Sequence, residues 1–336
     1  MIHIDGSYGE GGGQILRTSV ALSAVTGKAV TITDIRSNRP KPGLSAQHVK
    51  AIETAAMICD ATVEGIDIGS TAITFSPQEM KGGYYNIDIG TAGSIALLLQ
   101  CIMPAAAYSE TEIELRITGG TDVSWSPSID YLNNVTLRAI SEMGYRCNID
   151  TRKRGYYPRG GGVVHATISP SKLRACDFSE KVRKAKDRKV TGISHCSNLP
   201  EHVAQRQADS ARDIIEKAGY ECHIDTECAE YPSTGSGITL YSGMKGAYVP
   251  GKRGLPAEKV GSKAATELLS ELSSNSSVDV HLADQLIPYI GLTKGGSFTV
   301  REVSSHTSTN ISVTEQFLDV KFNVQKKEDM MEISVA

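Results

Sequence analysis

The chain has 336 residues, 40% hydrophobic and 22% charged, so it can bury a sizeable core and does not have the composition of a disordered polypeptide. Lys plus Arg number 35 and Asp plus Glu 38, a net charge of −3, which excludes a histone-like coating of nucleic acid but leaves room for a local basic pocket. Against 6% aromatics stand 32 glycines, a balance that points to tight turns and close backbone approaches.

Met1 to Asp5 alternates as a short strand, and the glycine-rich turn Gly6 to Gly13 follows. Gln14 to Val25 has helical spacing, Ala29 to Ile35 reads as a strand and Leu44 to Cys59 as a helix. Ala61 to Ile66 and Ala72 to Phe75 complete a βαβαββ order. The same order returns with strand Tyr85 to Ile89, the turn Gly90 to Gly93, helix Ser94 to Ala106, strand Glu112 to Ile117, helix Ile129 to Met143, and strands near Cys147 to Thr151 and Val163 to Ile168. A third copy is expected from a strand end at Val278 to His281, helix Ala283 to Gly291, strand Ser297 to Val303, helix Asn310 to Phe317 and strands Asp319 to Val324 and Met331 to Val335. Between copies two and three, Val190 to Leu272 follows a different α/β order, after the charged connector Lys181 to Lys189 and before the serine-rich run Ser273 to Ser277. The expected fold class is α/β (α+β). Residues 1–180 hold the first two repeats, 181–276 an inserted small α/β domain, and 277–336 the third repeat.

The seven cysteines form no C-x-x-C pair, which speaks against a disulfide framework or structural zinc and for a reducing compartment. Met1 to Gly6 has no signal-peptide character, and the longest apolar run, Ile95 to Ala107, is too short to span a bilayer. A cytoplasmic protein without a membrane partner is expected.

Several segments carry chemistry. Glycines in Asp5 to Gln14 let backbone N–H groups approach an anion at a helix N-terminus. Glu10 inside that loop faces phosphate comfortably only through a metal, so it is a candidate Mg²⁺ or Mn²⁺ ligand; a plain turn with a solvated Glu is the competing reading. Arg36, Arg39 and Lys41 are stiffened by Pro40 and Pro42 in a loop suited to phosphate, just before Gln47 and His48. Arg152 to Gly162 mixes four cations, two tyrosines and a glycine triplet, a blend that fits RNA and fits an exposed hairpin equally well. His306, in the polar loop Ser304 to Asn310, is a competent nucleophile near pH 7, although a lone loop histidine is more often a surface residue. His195/Cys196 and Cys222/His223 lie in strands, where neighbours face opposite sides and do not chelate together.

Taken in order, GSYGEGGGQILR (6–17), IRSNRPKPGLSAQH (35–48), IGTAGSIALLLQCIMPA (89–105), GGTD (119–122), GYYPRGGG (155–162), GKRGLPAE (251–258), HLADQL (281–286) and SHTSTNI (305–311) resemble the RNA 3′-terminal phosphate cyclase family across nearly the whole chain. The resemblance implies three βαβαββ units around a pseudo-threefold axis, plus an inserted domain with thioredoxin-like elements. It also implies a ligase-type enzyme of RNA processing that converts an RNA 3′-phosphate to a 2′,3′-cyclic phosphodiester, using ATP and Mg²⁺ or Mn²⁺. His306 occupies the position of the histidine that takes up AMP, and Glu10 that of the metal-associated acid. Arg17, Arg36 and Arg39 match arginines around the phosphates, and Gln47 and His48 match polar pocket residues. Gln100 and the run His281, Leu282, Ala283, Asp284 and Gln285 match ATP-binding positions, with Asp284 expected near His306. Two departures stand out: His281 replaces an aromatic residue found in some relatives, and the residues after His306 are more polar than usual. A cyclase-like RNA-binding scaffold of ribosome assembly is the alternative, disfavoured because that branch lacks the histidine; a carboxyvinyl-type transferase rests on fold analogy alone.

Overall fold

The computed structural model describes residues 1–179 and 189–335. The expected connector Lys181 to Lys189, and with it the boundary at 180, falls outside the described residues apart from Lys189.

β1 (Ile2–Asp5), α1 (Gly13–Thr26), β2 (Val30–Thr33), α2 (Ala46–Cys59), β3 (Thr62–Glu64) and β4 (Ile73–Ser76) form the first unit. Its sheet runs β1-β2-β4-β3, with β1 and β2 parallel and the rest antiparallel. α1 buries Ile15, Leu16, Val20 and Leu22 and ends at Gly27, whose φ of 68° suits a residue without a Cβ. α2 starts at a capping box in which Ser45 and the His48 ring serve each other's backbone N–H groups.

β5 (Gly83–Asp88), α3 (Ile95–Ala106), β6 (Ile113–Gly119), helix α4, β7 (Arg146–Lys153) and β8 (Gly162–Ser169) repeat the pattern with order β5-β6-β8-β7. α4 opens at Ile129–Tyr131, passes through a π-turn at Leu132–Thr136 and closes at Leu137–Glu142. β8 alternates buried and half-buried residues along its length, as a strand with one covered face should.

β9 (Lys189–Ser197), α5 (His202–Lys217), β10 (Glu221–Ala229), β11 (Gly235–Ser242), β12 (Lys245–Pro250) and α6 (Ala257–Ser273) build a separate sheet, β10-β9-β11-β12. It has its own core, with Val190, Ala211, Ile215, Leu240 and Leu268 fully buried.

α7 (Val280–Leu292), β13 (Gly296–Val300), α8 (Ser305–Phe317), β14 (Phe322–Lys327) and β15 (Met330–Val335) form the last unit, with order β13-β15-β14. The strand expected at Val278 to His281 does not form. Asp279 caps α7 instead, its Oδ1 accepting from the backbone N–H groups of His281 and Leu282 at 2.8 Å. The place beside β13 is taken by the chain before the insertion: Asp177 bridges Ser297 in parallel, and Ser297 N donates to Cys176 O at 3.0 Å. The inserted sheet therefore interrupts the third unit after its first extended segment.

The three units close into a ring, because the second helix of each meets the first helix of another. Thr18 of α1 donates to Asn310 of α8, Ser94 at the head of α3 donates to Gln47 of α2, and Thr136 of α4 donates to Gln285 of α7, each at 2.8 Å. One continuous core, including Ile4, Leu16, Leu99, Ile140, Leu286 and Phe298, lies under this ring.

A buried polar junction ties the inserted sheet to the ring. Arg154, 3% exposed, donates to Asp122, Asp130 and Glu227. His195 Nε2 lies 3.2 Å from Asp122 Oδ1, and its Nδ1 is 2.8 Å from the Tyr156 hydroxyl. Burial alone would raise the Asp122 pKa, yet the charges of His195 and Arg154 hold it well below the usual carboxylate range. One of the four cations in the basic stretch 152–159 is thus an interior counter-ion, not an RNA contact.

Candidate active site

The loop after β1 meets the first turns of α8, so segments from two units come together at one place. The loop after β1 turns back through Gly9 (φ 61°) and Gly11 (φ 55°). A Cβ on Gly9 would stand 2.6 Å from Thr309 Oγ1, and one on Gly12 would stand 3.0 Å from an Arg39 nitrogen. A Cβ on Gly13 would strike His48 Nε2. Glycine is needed because α8, Arg39 and His48 crowd this backbone. α1 begins with no side chain capping its N-terminus. Its first N–H groups, Arg17, Arg39 and His48 therefore surround a place suited to an anion.

His306 sits in the first turn of α8, not in a loop. Ser304 caps the helix, its Oγ accepting from Thr307 N at 3.0 Å, so the polar run read as a loop is a helix start. Burial lowers the His306 pKa below 6.5; Glu10 opposes this, and Arg17, Arg39 and His281 add to it. The imidazole is neutral at pH 7.

The carboxylate beside it is Glu10, with Oε2 3.6 Å from His306 Nε2 and 3.1 Å from Arg39 Nη2. The Ser305 hydroxyl donates to Oε1. That hydrogen bond is the main reason the Glu10 pKa is lowered. Glu10 is ionised and 41% exposed at its side chain, a donor chemistry that suits a hard divalent cation.

Asp284, expected near His306, lines the same cavity as Arg17 and feels its charge. Burial pushes its carboxyl up to about 8 against the pull of Arg17. Arg17 donates to Gln14 Oε1 at 2.8 Å, and its Nε is covered without a protein partner. His48 is pushed down to about 3 by burial and by Arg17 and Arg36. Ser45 N donates to its Nδ1 at 3.2 Å, which leaves Nε2–H directed at the glycine loop. Arg36 Nη1 is held by Gly43 O at 2.8 Å.

Gln100 donates to Gln285 at 2.7 Å, and Gln285 donates to His281 O at 2.8 Å. These two glutamines, Arg17 and Asp284 line a cavity of about 30 Å³ between α1, α3 and α7. His281 is exposed at the head of α7. Leu282 and Ala283, matched to the ATP segment, are fully buried and present no side chain to the cleft. Gln47 is turned toward Ser94 N.

Sequence reasoning passed over Asn310. It is fully buried one turn below His306. Its Oδ1 accepts from Thr18 at 2.8 Å and its Nδ2 donates to Asp284 O at 2.7 Å. The four-residue spacing from His306 on one helix face was the available signal.

The RNA 3′-terminal phosphate cyclase family model matches residues 8–324. The chain belongs to this family. Among curated RNA 3′-terminal phosphate cyclases, the one from Methanococcoides burtonii is 69% identical over the whole of both chains. That from Archaeoglobus fulgidus is 51% identical over 97% of this chain and 99% of its own. That from Pyrobaculum neutrophilum is 46% identical over 97% and 95%. The cyclase fold is a mixed α/β one, and among the described residues no helix is long and apolar enough to cross a membrane.

Proposed function

We propose that this protein closes RNA 3′-phosphate ends to 2′,3′-cyclic phosphodiesters at the expense of ATP. The observation that carries the reading is His306: a neutral imidazole in a helix first turn, facing Glu10 and flanked by Arg39 and Arg17.

Nε2 attacks the α-phosphorus of ATP. An N–P bond forms, the P–O bond to the β-phosphate breaks, and pyrophosphate leaves. An oxygen of the RNA 3′-phosphate then displaces His306 and takes AMP. The neighbouring 2′-hydroxyl attacks that activated phosphate, gives up its proton, closes the ring and expels AMP. Splitting the activation in this way replaces one difficult displacement with easier ones. Arg17, Arg39 and His48 Nε2–H meet the charge on the phosphates, and the first N–H groups of α1 add theirs. Glu10 would hold Mg²⁺ or Mn²⁺, which supplies neutralisation of phosphate charge. Glu10 also supports the imidazolium character that develops on His306 as its nitrogen becomes bonded to phosphorus.

The test is incubation with ATP labelled at the α-phosphate and a divalent metal. Acid-labile label on the wild type, absent from His306→Ala, is expected. No label, or label that survives the substitution, overturns the reading.

A further inference from the structure

Two exposed aromatic side chains have no part in the chemistry above. Trp125, the single tryptophan, is 100% exposed, and its backbone has a φ of 65°. Bulky L-residues rarely adopt that left-handed conformation. The loop is nevertheless held: Ile129 N donates to Thr121 O at 3.0 Å, Ser126 Oγ donates to Val123 O at 3.1 Å, and Asp122 is locked in the buried Arg154 junction. A strained backbone that is kept in order to show an indole to solvent points to a ligand.

Tyr157 is 77% exposed, between buried Tyr156 and exposed Arg159. Its loop is fixed from both ends: Tyr156 N donates to Ser233 Oγ, Ser233 Oγ donates to Gly160 O, and Gly160 N donates to Tyr156 O, each at 2.7 Å. Lys153 and Arg159 are exposed cations of the same hairpin.

The two loops are joined to each other and to the site. Thr121 N donates to Gly155 O at 2.9 Å, and Gly155 N donates to Thr121 Oγ1 at 2.8 Å. A Cβ on Gly160 would stand 2.8 Å from Thr91 O, and Gly120 N donates to Gly93 O at 2.8 Å. Ser94, next in that turn, is bonded to Gln47, the neighbour of His48. These contacts tie the Trp125 loop and the Tyr157 hairpin to the turn that meets Gln47, the neighbour of His48.

We propose that Trp125, Tyr157 and Arg159 form a stacking platform for the nucleotides 5′ of the RNA end. Indole and phenol faces stack on any base, and the guanidinium meets the backbone phosphate, so the platform grips single-stranded RNA without reading its sequence. The proposal rests on the reading of the His306 site as one for an RNA end.

Trp125 is its own reporter. Its fluorescence is followed while a short single-stranded RNA with a 3′-phosphate is titrated in, with neither ATP nor divalent metal. Saturable quenching is expected, and a nucleoside 3′-phosphate, which has no 5′ neighbour, should leave the signal unchanged. By polarisation of end-labelled RNA, Trp125→Ala and Tyr157→Ala should each weaken binding by about tenfold, and Trp125→Phe should recover most of it. Melting curves of the variants check that the fold is kept. RNA binding with unchanged fluorescence and an unchanged affinity in Trp125→Ala overturns the platform. So does an absence of RNA binding, or a signal that follows protein concentration alone because a second copy covers the indole. Quenching without covalent label would retire the histidyl mechanism and leave the platform standing; label without quenching would do the reverse.

Discussion

His306 Nε2 lies 3.6 Å from Glu10 Oε2, across the gap between the first turn of α8 and the glycine loop before α1. Burial and the Glu10 carboxylate pull the imidazole in opposite directions. Burial keeps it neutral, while the carboxylate favours positive charge on the ring. The loop approaches closely enough only because Gly9 leaves room for Thr309. Helix cap, glycine turn and carboxylate therefore act together on one nitrogen.

Glu10→Gln keeps a group that can accept from Ser305 but removes the charge. Self-labelling from ATP should fall by at least about tenfold and need more divalent metal. Because Glu10 raises the His306 pKa, its loss should move the acid limb of the labelling profile to still lower pH. In the wild type that limb falls below pH 6.5, since the ring protonates there, and the His306 contribution is flat above pH 7. Label incorporation against pH and against metal concentration checks both.

Gly13→Ala places a methyl group against His48 Nε2 and within 3.0 Å of Arg17 Nη1. Alanine is the better helix former, but displacing buried His48 outweighs that, so stability should fall by about 1–3 kcal/mol. Labelling should drop sharply as the cation cluster is displaced. Label per folded molecule, read beside the melting temperature, is the measurement.

Asn310→Ala leaves the Thr18 hydroxyl and the Asp284 carbonyl without their partner. Denaturant unfolding should show a loss of about 2–4 kcal/mol. The remaining folded protein should label slowly, because the turn carrying His306 is no longer held against α1 and α7.

Asp284 titrates near 8 in the folded chain and near 3.8 when unfolded. Between those values the folded state holds a proton that the unfolded state has lost. This contribution to stability is therefore complete below about pH 4 and is lost as pH rises toward 8. Asp284→Asn should remove that slope. The check is the difference in urea midpoint between wild type and variant, measured from pH 4 to 9.

Much of the ring was legible along the chain. Apolar spacing marked α1, α2 and α3 within a residue or two, and alternation marked β6 and β8. Errors fell where a polar cap was mistaken for something else. Ser304 starts α8 at a run that looks like a loop, and Asp279 starts α7 where a strand end was expected. Capping depends on one hydrogen bond that composition does not show. Arg154 is the other kind of error: its neighbours in sequence are exposed cations, but Asp122, Asp130 and Glu227 close on it only in the folded molecule.

Local sequence sets the repeated units, the glycine turns at strand ends and the supply of His306, Glu10 and the arginines. These follow from local periodicity and from backbone conformations that only glycine tolerates. The folded molecule set the pairings: Glu10 beside His306, Asp284 buried within the electrostatic reach of Arg17, Asn310 linking three helices, and the segment at Asp177 standing in as the third unit's first strand. Those contacts join parts far apart in sequence, and only the closing of the ring over a shared core brings them within reach.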